Sequence, residues 1–422
     1  MDNKYQAPRG TFDLLNDDVT LWQQVEKIIK EQCQIYGYKE IRTPIFEHVE
    51  VFKQENDSSY MVNKEMYCFK DNGQRELTLR PEGTKGIVRA FVEHKLYGSA
   101  DFPVKLFYMG PMFRYDRPQK GRYRQFHQFG VEAIGAKNPL LDVETIALGY
   151  SIIKRLGVNN IVVLVNSLGD KPSRDNYRKA LKEYFAPYLD QLCPDCQRRY
   201  QQNPLRILDC KADKQHPCMA NAPKCRDYLN DESKEYFNKV LKGLEKLNIP
   251  YQIDDRLVRG LDYYTNTVFE AVPIDSEGQQ ATIYGGGQYD GLVESFGGGS
   301  LCGNGFGMGI ERLIDLATTY GNLKPLENNQ DVYVISLGQA NSYASEIVNI
   351  LRDNNICCET DYLQRSMKAQ FKSAERCNAK VIIIVGEDEM ESKTLQIKNK
   401  LENSQETVSI DQLISKVKEI LR

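Results

Sequence analysis

The stretch FRYDRPQKGRYRQFHQFGVE, residues 113–132, changes character halfway along its length. Its first half sets a single acid, Asp116, among five cations: Arg114, Arg117, Lys120, Arg122 and Arg124. Its second half alternates aromatic and polar residues and, with VKLFYMGPMFR at 104–114, predicts two antiparallel strands joined by a basic loop. Guanidinium groups bind phosphate oxygens and an aromatic ring stacks on a base. The hairpin therefore predicts binding of a nucleoside triphosphate, a nucleic acid or both.

Side-chain parity divides the second strand, QFHQFGVEAIG at 125–135, into two faces. One face carries Phe126, Gln128, Glu132 and Ile134, and the other carries His127, Phe129 and Val131. The first face therefore holds the groups that could contact a ligand, while the second is mainly apolar. Because His127 lies on the second face, we expect it to pack or hydrogen-bond within the sheet, and we give it no catalytic role.

The composition is that of a sizeable globular chain. Its 422 residues are enough for roughly two or three domains. A formal net charge of -3 argues against a protein that coats nucleic acid by bulk charge. A polyanion would therefore bind to a local basic patch such as the basic loop. No window approaches a membrane-spanning run and no apolar leader begins the sequence, so we expect a cytoplasmic protein without a membrane partner.

The N-terminal part of the chain predicts an amphipathic helix followed by a strand. Asp17 and Asp18 can cap the helix, apolar residues recur at helical spacing as far as Tyr36, and Gly37 ends it. YKEIRTPIFE at 38–47 then predicts a strand interrupted by Pro44, which is typical of an edge or interface strand.

The middle of the chain contains an insertion. Helical periodicity on both sides of a group of cysteines predicts a mostly helical segment over 170–252. Strand patterns resume in RGLDYYTNTVFEAV at 259–272 and ATIYGGGQYDGL at 281–292. We therefore expect the first domain to occupy residues 1–325 and to contain the insertion.

The last part of the chain predicts a separate domain. The apolar runs DVYVISLG and KVIIIVG have the composition of buried strands and alternate with helical segments, which indicates a small α/β fold. The polar segment 318–330 contains glycine and proline and is the predicted linker. The second domain is accordingly expected over 328–422.

The phosphate-binding interpretation lacks the usual glycine loop, since no G-x-x-x-x-G-K-[ST] occurs in the chain. The hairpin instead resembles motif 2 of the class II aminoacyl-tRNA synthetases, and GFGMGIERL at 305–313 resembles their motif 3. Further blocks are similar to the bacterial histidyl-tRNA synthetases: APRGTFDLL (7–15), LTLRPEGT (77–84), NPLRILDCK (203–211), LVRGLDYYTNTVFE (257–270), GGGQYDGL (285–292) and DYLQRSMKAQFKSA (361–374).

This resemblance implies a fold and an activity. The fold would be an α+β catalytic domain with an antiparallel sheet, a helical insertion and a C-terminal α/β anticodon-binding domain. The activity would be ATP-dependent ligation of L-histidine to tRNA(His) through a histidyl-adenylate, with release of AMP and pyrophosphate. Mg²⁺ would accompany ATP, and the protein would be a homodimer. The alternatives are a non-catalytic, synthetase-like histidine-sensing subunit of histidine biosynthesis and a sister synthetase for another amino acid. The presence of RGLDYY and of a C-terminal domain argues against the sensing subunit.

The resemblance also implies which residues bind ATP. Arg114 would hold the α-phosphate, Phe126 would stack on adenine, and Arg122 and Arg312 would contribute further positive charge, with Arg312 on the far phosphates. Arg259 would stand at the α-phosphate where related enzymes use a metal, so Arg259 and Arg114 are the catalytic candidates. Fixed cations of this kind offset the charge that develops when a carboxylate attacks phosphorus.

The histidine-binding set follows from the same blocks and consists of Glu82, Gly83, Thr84, Gln128, Glu132, Tyr263, Tyr264 and Tyr289. A site that hydrogen-bonds a polar side chain rejects apolar amino acids, because its buried groups would otherwise stay unpaired. Two positions depart from the commonest family pattern: Asp116 replaces Glu, and Gln288 replaces an expected Arg, which puts a salt bridge at that point in doubt.

Eleven cysteines, an odd number, are present, and five of them lie between 193 and 225. This usage indicates reduced thiols rather than a secreted disulfide framework. Four of the five could bind a structural zinc: Cys193, Cys196, Cys210 and Cys225. The alternative is that small buried cysteines pack the insertion, and the 13 residues between the second and third cysteine favour this alternative over zinc.

Overall fold

The computed structural model describes residues 5–53, 61–98, 101–119, 121–261, 263–274, 282–326 and 330–422. Lys120 of the basic loop and residue 328, the expected start of the second domain, lie outside the described residues. The chain folds into two compact units, Met1–Pro325 and Leu326–Arg422.

Eleven strands lie in the described part of the first unit: β1 (Lys39–Glu40), β2 (Phe46–His48), β3 (Tyr67–Lys70), β4 (Glu76–Leu79), β5 (Val104–Phe113), β6 (Gln125–Ile134), β7 (Ile161–Ser167), β8 (Tyr251–Ile253), β9 (Tyr264–Pro273), β10 (Tyr284–Tyr289) and β11 (Gly303–Gly309). Eight of them build one sheet in the order β1-β5-β6-β11-β10-β9-β7-β8. Its six central strands are antiparallel, whereas β1 and β8 pair in parallel at the two edges.

The predicted hairpin is confirmed. Strands β5 and β6 pair from Val104 opposite Ile134 to Phe113 opposite Gln125, without a register shift. Strand β11 pairs with the other side of β6, with Gly305 opposite Glu132 and Gly309 opposite Gln128. The fragment that resembles motif 3 therefore lies directly beside the fragment that resembles motif 2, although about 180 residues of sequence separate them.

The predicted strand over 38–47 needs a correction. It forms two short strands in different sheets, because β1 pairs with β5 whereas β2 belongs to a three-stranded sheet in the order β2-β4-β3. Pro44 lies between them, and proline has no N–H group for a strand ladder.

Nine helices lie in the described part of the first unit: α1 (Asp17–Ile35), α2 (Val49–Phe52), α3 (Thr84–Glu93), α4 (Pro139–Arg155), α5 (Lys171–Phe185), α6 (Pro194–Gln202), α7 (Asp231–Lys246), α8 (Leu292–Ser295) and α9 (Ile310–Tyr320). Helix α1 confirms the first predicted helix, and the positive φ of +76° at Gly37 shows why a glycine follows its end. Helices α5, α6 and α7, joined by 3₁₀ turns, confirm that the insertion is mostly helical.

The main hydrophobic core covers one face of the eight-stranded sheet. Helices α1, α4, α7 and α9 contribute apolar side chains to it, and the sheet contributes Phe129 and Val131 of β6 with Phe306 and Met308 of β11. All four of these sheet residues are buried. Complete burial of such a side chain stabilises the fold by roughly 1.5–3 kcal/mol. The opposite face of the same strands is left for polar side chains.

The second unit is an α/β fold. Its strands run in the order β13-β12-β14-β15-β16, and β12 pairs in parallel with β13 and β14. The strands are β12 (Val332–Ser336), β13 (Cys358–Thr360), β14 (Val381–Val385), β15 (Thr394–Asn399) and β16 (Ser404–Ser409), and the helices are α10 (Asn341–Asp353), α11 (Met367–Arg376), α12 (Glu387–Ser392) and α13 (Leu413–Ile420). The runs DVYVISLG and KVIIIVG thus form the predicted strands. No described helix is long and apolar enough to cross a bilayer.

Truncation of Phe129 tests the main core. Its ring is fully buried between those of Phe107 and Phe306. We expect Phe129→Ala to reduce the free energy of unfolding of the first unit by about 3–5 kcal/mol, because a cavity replaces the ring. Leu140→Ala is the control, since Leu140 is 69% exposed and its truncation should change that free energy by less than about 0.5 kcal/mol. Equal shifts of the two variants in denaturant melts would contradict this description of the core.

Candidate active site

The polar face of the sheet is built around a strand that has almost no side chains on that side. In β11, Gly303, Gly305, Gly307 and Gly309 alternate with Asn304, Phe306 and Met308. A Cβ added at Gly303 would overlap the ring of Tyr289, one at Gly305 would overlap Oε2 of Glu132, and one at Gly307 would overlap Nε2 of Gln128. The side chains of the neighbouring strands β6 and β10 therefore lie over β11. We call these four glycines the glycine floor.

Glu132 is at the centre of the floor and is 1% exposed. Thr84 Oγ1 donates a hydrogen bond to Glu132 Oε1 at 2.7 Å, and Tyr289 Oη donates to Oε2 at 2.9 Å. Burial raises the pKa of Glu132 to about 8, the two hydroxyl donors oppose this rise, and the nearby Glu82 adds to it. A ligand cation would relieve the cost of the buried negative charge.

Glu82, Gly83 and Thr84 form the turn that begins helix α3. The Glu82 carboxylate accepts hydrogen bonds from the backbone N–H groups of Thr84 at 2.7 Å and Lys85 at 2.8 Å. Burial raises the pKa of Glu82, although these donors and the charge of Lys85 oppose the rise. A Cβ added at Gly83 would overlap the ring of Tyr108, so only glycine allows this close approach. The turn thereby directs the Thr84 hydroxyl to Glu132.

Three tyrosines enclose the same pocket. The ring centroids of Tyr263 and Tyr264 are 4.7 Å apart, and those of Tyr263 and Tyr289 are 5.8 Å apart. Within the described residues, the buried Tyr263 hydroxyl has no hydrogen-bond partner. The Gln128 side chain is held only weakly, by Tyr108 Oη at 3.4 Å from its Oε1. Because unpaired buried polar groups are costly, these groups are available to a polar ligand.

Positive charge collects on the other side of the floor. Arg114 Nε donates to the carbonyl of Pro81 at 2.8 Å, and its guanidinium carbon lies 5.1 Å from the ring centroid of Phe126. Arg312 Nε donates to the carbonyl of Gly121 at 3.1 Å. Burial lowers the pKa of Arg312, and the positive charges of Arg122 and Arg114 lower it further. Arg114, Arg122 and Arg312 thus share one region, and although Asp116 pairs with Arg122, their guanidinium groups keep further N–H donors that favour a polyanion.

Arg259 is held by a chain of polar contacts. It forms an ion pair with Glu270, whose second oxygen accepts from Thr282 Oγ1 at 2.7 Å. The carbonyl of Thr282 accepts from Arg312 Nη1 at 3.0 Å, so Thr282 links the two arginines. Burial lowers the pKa of Arg259, but Glu270 and two tyrosines more than offset this effect and raise it. A Cβ at Gly285 would lie 2.6 Å from Arg259 Nη1, which explains the glycine there.

The structure therefore brings the predicted residues into two groups. Glu82, Thr84, Gln128, Glu132 and the three tyrosines surround an acidic pocket, while Arg114, Arg122, Phe126 and Arg312 form a cationic region. Arg259 contacts both groups, because its guanidinium carbon lies 5.7 Å from the Tyr264 ring centroid while Glu270 and Thr282 connect it to Arg312. Such an arrangement can hold a polyphosphate beside a small cationic molecule, shielded from water.

The two departures from the family pattern have local consequences. Asp116 forms an ion pair with Arg122 at 3.2 Å and orders the basic loop. Gln288 Nε2 donates to Asp290 Oδ1 at 3.2 Å, so a hydrogen bond from a neutral amide occupies the place of the doubtful salt bridge. His127 packs against Trp22, with ring centroids 4.7 Å apart, and its Nδ1 lies 3.0 Å from Glu311, as expected for a residue of the core face.

Two charged residues of the insertion reach the site and were missed in the sequence. Burial raises the pKa of Asp209, whose electrostatic neighbours include Glu270 and Arg259. Burial lowers the pKa of Lys211, and the positive charges of Arg122 and Arg312 lower it further. Both residues lie at the end of the block NPLRILDCK, which the resemblance had already singled out.

The cysteine candidates separate into two sets. The ligand atoms of Cys193, Cys196, Cys210 and Asp213 all lie within 4.8 Å of one another. Of the four cysteines predicted as zinc ligands, Cys225 lies outside this group, and Asp213, which was not predicted, lies within it. Cys196, Cys210 and Cys225 are all buried in the apolar cluster of the insertion.

Comparisons with known proteins agree on one family. A family model described as Histidyl-tRNA synthetase matches residues 10–313, and one described as Anticodon binding domain matches residues 331–420. Histidine--tRNA ligase of Geobacillus thermodenitrificans (strain NG80-2) is 50% identical over 414 residues, 97% of this chain and of that protein. Histidine--tRNA ligase 1 of Shouchella clausii (strain KSM-K16) is 49% identical over 421 residues, 99% of each. Apo histidyl-tRNA synthetase of S. aureus superposes with a TM-score of 0.83 at 42% identity and covers 98% of this chain and 100% of that chain.

The glycine floor predicts a difference between two alanine substitutions in the same strand. A Cβ at Gly305 would overlap both Glu132 and the carbonyl of Val131, whereas the atom nearest to one at Gly309 is 3.9 Å away. We expect Gly305→Ala to reduce the free energy of unfolding by about 1–3 kcal/mol through overpacking. Gly309→Ala should leave it unchanged or raise it by about 0.4–1 kcal/mol, because the unfolded chain loses entropy. Denaturant melts measure both, and a Gly305→Ala protein as stable as the parent would contradict the floor.

Proposed function

The chain belongs to the histidyl-tRNA synthetase family, and we propose that it activates histidine on the glycine floor, between Arg259 and the acidic pocket. As a class II aminoacyl-tRNA synthetase, it ligates L-histidine to tRNA(His) through a histidyl-adenylate and releases AMP and pyrophosphate. The alternative of a histidine-sensing regulatory subunit is not favoured, because ligases 49–50% identical match almost the full chain.

One observation supports this assignment of the site: buried acids and partly buried arginines lie around the face of β11 that carries no side chains. The acidic pocket suits the ammonium group and the imidazole of histidine, and the cationic region suits the triphosphate. Their common floor would bring the amino-acid carboxylate next to the α-phosphorus, which is the geometry that the first step requires.

In the first step, a carboxylate oxygen of histidine attacks the α-phosphorus of ATP, and the bond from that phosphorus to the bridging oxygen of pyrophosphate breaks. Negative charge grows on the nonbridging α-phosphate oxygens and on the leaving pyrophosphate. Arg259 and Arg114 are proposed to bind the α-phosphate, and Arg122 and Arg312 the other phosphates. Each fixed donor would lower the barrier by about 3 kcal/mol, since it needs little reorganisation in a buried site. Mg²⁺ enters with ATP, as the family implies.

Glu270 makes Arg259 suitable for this role. Glu270 pairs with one terminal nitrogen of the guanidinium, Nη1. The Nε of Arg259 is buried without a hydrogen-bond partner in the described residues. Arg259 thus keeps donor capacity that a phosphate oxygen would satisfy. Phe126 is partly exposed beside Arg114, and we propose that the adenine ring stacks on it.

In the second step, a hydroxyl of the 3′-terminal adenosine of tRNA(His) attacks the carbonyl carbon of the adenylate, and AMP leaves. Glu82, Thr84, Gln128, Glu132 and the tyrosines 263, 264 and 289 are proposed to keep histidine in place through both steps. Gly83 gives the turn its close packing against Tyr108. An apolar amino acid would leave these buried groups unpaired, so the pocket would discriminate against it without a separate editing site.

The remaining proposals concern the whole chain. We propose that the domains extend over 1–325 and 328–422, that the second reads the anticodon, and that the protein is a cytoplasmic homodimer. A family model for an anticodon-binding domain supports the role of the second domain. Ile45 and Phe46 expose large apolar side chains directly after Pro44, and Phe69 exposes another on β3 of the same small sheet; a second copy could cover them.

Removal of the Arg259 guanidinium tests the first step. We expect Arg259→Ala to reduce histidine-dependent exchange of pyrophosphate into ATP by about 10²–10³-fold, with the fold retained, because one donor to the α-phosphate is lost. Arg256→Ala is the matched control, since Arg256 is an exposed arginine three residues away and should keep parental exchange. Near-parental exchange by the Arg259→Ala protein would refute the proposed role.

The histidine affinity should depend on the ionisation of Glu132. Only the carboxylate form pairs with the ammonium group, and the pKa of Glu132 is about 8. Between about pH 7 and about pH 8 the ionised fraction rises about fivefold, so the KM for histidine should fall by about the same factor. Glu132→Gln should give a high KM that no longer falls with pH. A parental KM that stays constant or rises over this interval would contradict the pairing.

A further inference from the structure

We propose that Cys193, Cys196, Cys210 and Asp213 form a structural zinc site within the insertion. Their ligand atoms lie within 4.8 Å of one another, and the last three residues are buried. Three thiolates and a carboxylate are ligands that zinc accepts in a four-coordinate site. Nothing in the proposed aminoacylation chemistry uses these groups.

The separation of the sulfur atoms fits one ion between them. With zinc–sulfur bonds of about 2.3 Å and tetrahedral angles, two ligand sulfurs are about 3.8 Å apart. Cys193 Sγ and Cys210 Sγ are 3.6 Å apart, and both cysteines are free thiols. A disulfide would require about 2.05 Å. The distance is therefore typical of two ligands of one metal.

The spacing also becomes regular once Asp213 is included. The chain supplies C-x-x-C at 193–196 and C-x-x-D at 210–213, so two pairs with the same spacing meet. The 13 residues between Cys196 and Cys210 remain, but the third and fourth ligands now have the same spacing as the first and second. Pairs of ligands two residues apart are a common arrangement in structural zinc sites.

Packing alone does not explain Asp213. The backbone N–H of Cys193 donates to both carboxylate oxygens, at 3.1 and 3.2 Å, which fixes the carboxylate beside the thiols. A carboxylate that is 8% exposed needs hydrogen-bond donors or a cation to offset its burial, and a zinc ion would do so together with the N–H of Cys193. Cys225 is buried in the same apolar cluster of the insertion as Cys196 and Cys210, but its Sγ does not belong to this group of ligand atoms. Cys218 has a different environment, because its Sγ lies 2.9 Å from Nδ1 of His216.

The site would join two ends of a segment that reaches the catalytic region. Between the two ligand pairs, Arg206 Nη1 donates to the carbonyl of Gly260 at 2.7 Å, directly after Arg259 in the chain. Asp209 also lies in this segment, Lys211 follows within the second ligand pair, and their electrostatic neighbours include Glu270 and Arg312 respectively. Much of the surrounding chain consists of short 3₁₀ turns, which have few hydrogen bonds of their own. Zinc would therefore position Arg206 rather than take part in catalysis.

Metal content of the full-length protein is the first test. Protein expressed with zinc in the medium and purified under reducing conditions without chelator should contain about one zinc per chain. Cobalt(II) added to the metal-stripped protein should give thiolate-to-metal charge-transfer bands and the visible bands of a tetrahedral ion. A zinc-free protein that also gives no such bands overturns the proposal, whether or not the enzyme is active.

Matched variants identify the ligands. Cys196→Ser and Asp213→Asn should lose zinc, whereas Cys225→Ser, which changes a buried cysteine of the same insertion, should keep it. Chelation should lower the unfolding temperature of the parent and of Cys225→Ser but not that of Cys196→Ser. Equal zinc retention in Cys196→Ser and Cys225→Ser overturns the ligand assignment. If Cys196→Ser does not fold, the cobalt bands of the parent and their alteration in Asp213→Asn decide the question.

Discussion

A central strand without side chains on one face is the constraint on which the site depends. In β11, every second residue is glycine, and the side chains of Gln128, Glu132 and Tyr289 occupy the space that these glycines leave. The other parity of the same strand carries Phe306 and Met308, which belong to the main core. One strand therefore anchors the sheet to its helices and keeps the opposite face open. Neither function tolerates a shift of register, because a one-residue slip would exchange the two faces.

The site buries charged side chains, which is energetically costly but allows it to bind charged substrates. Glu82 and Glu132 have raised pKa values, and Arg114 and Arg312 have lowered ones, mainly because burial penalises their charged forms. A substrate with an ammonium group and a triphosphate would supply the missing opposite charges at both ends. Under the proposed mechanism, the site is thus complementary to bound histidine and ATP in a region where electrostatic interactions are stronger than in water. Glu270 forms the ion pair that compensates the charge of Arg259.

Much of this organisation could be predicted from the sequence, because it rests on local patterns. The hairpin and helix α1 follow from periodicity, and the resemblance to class II synthetases led to the candidate site residues. The split at Pro44 into two sheets depends on partners distant in the chain, which periodicity does not specify. The hairpin of β15 and β16 was missed because SQETVS is polar. Asp213 was overlooked since a lone aspartate becomes a candidate ligand only when folding brings it to three thiols.

In the proposed mechanism, Arg259 and Arg114 bind the α-phosphate while the acidic pocket holds histidine on the same glycine floor. The most direct measurement is a crystal structure of the protein with ATP, Mg²⁺ and histidinol, which lacks the attacking carboxylate and so cannot react. We predict that both arginines donate hydrogen bonds to α-phosphate oxygens and that the histidinol amine or imidazole contacts Glu132. A nucleotide whose α-phosphate contacts neither arginine, or histidinol bound away from Glu132, would contradict it.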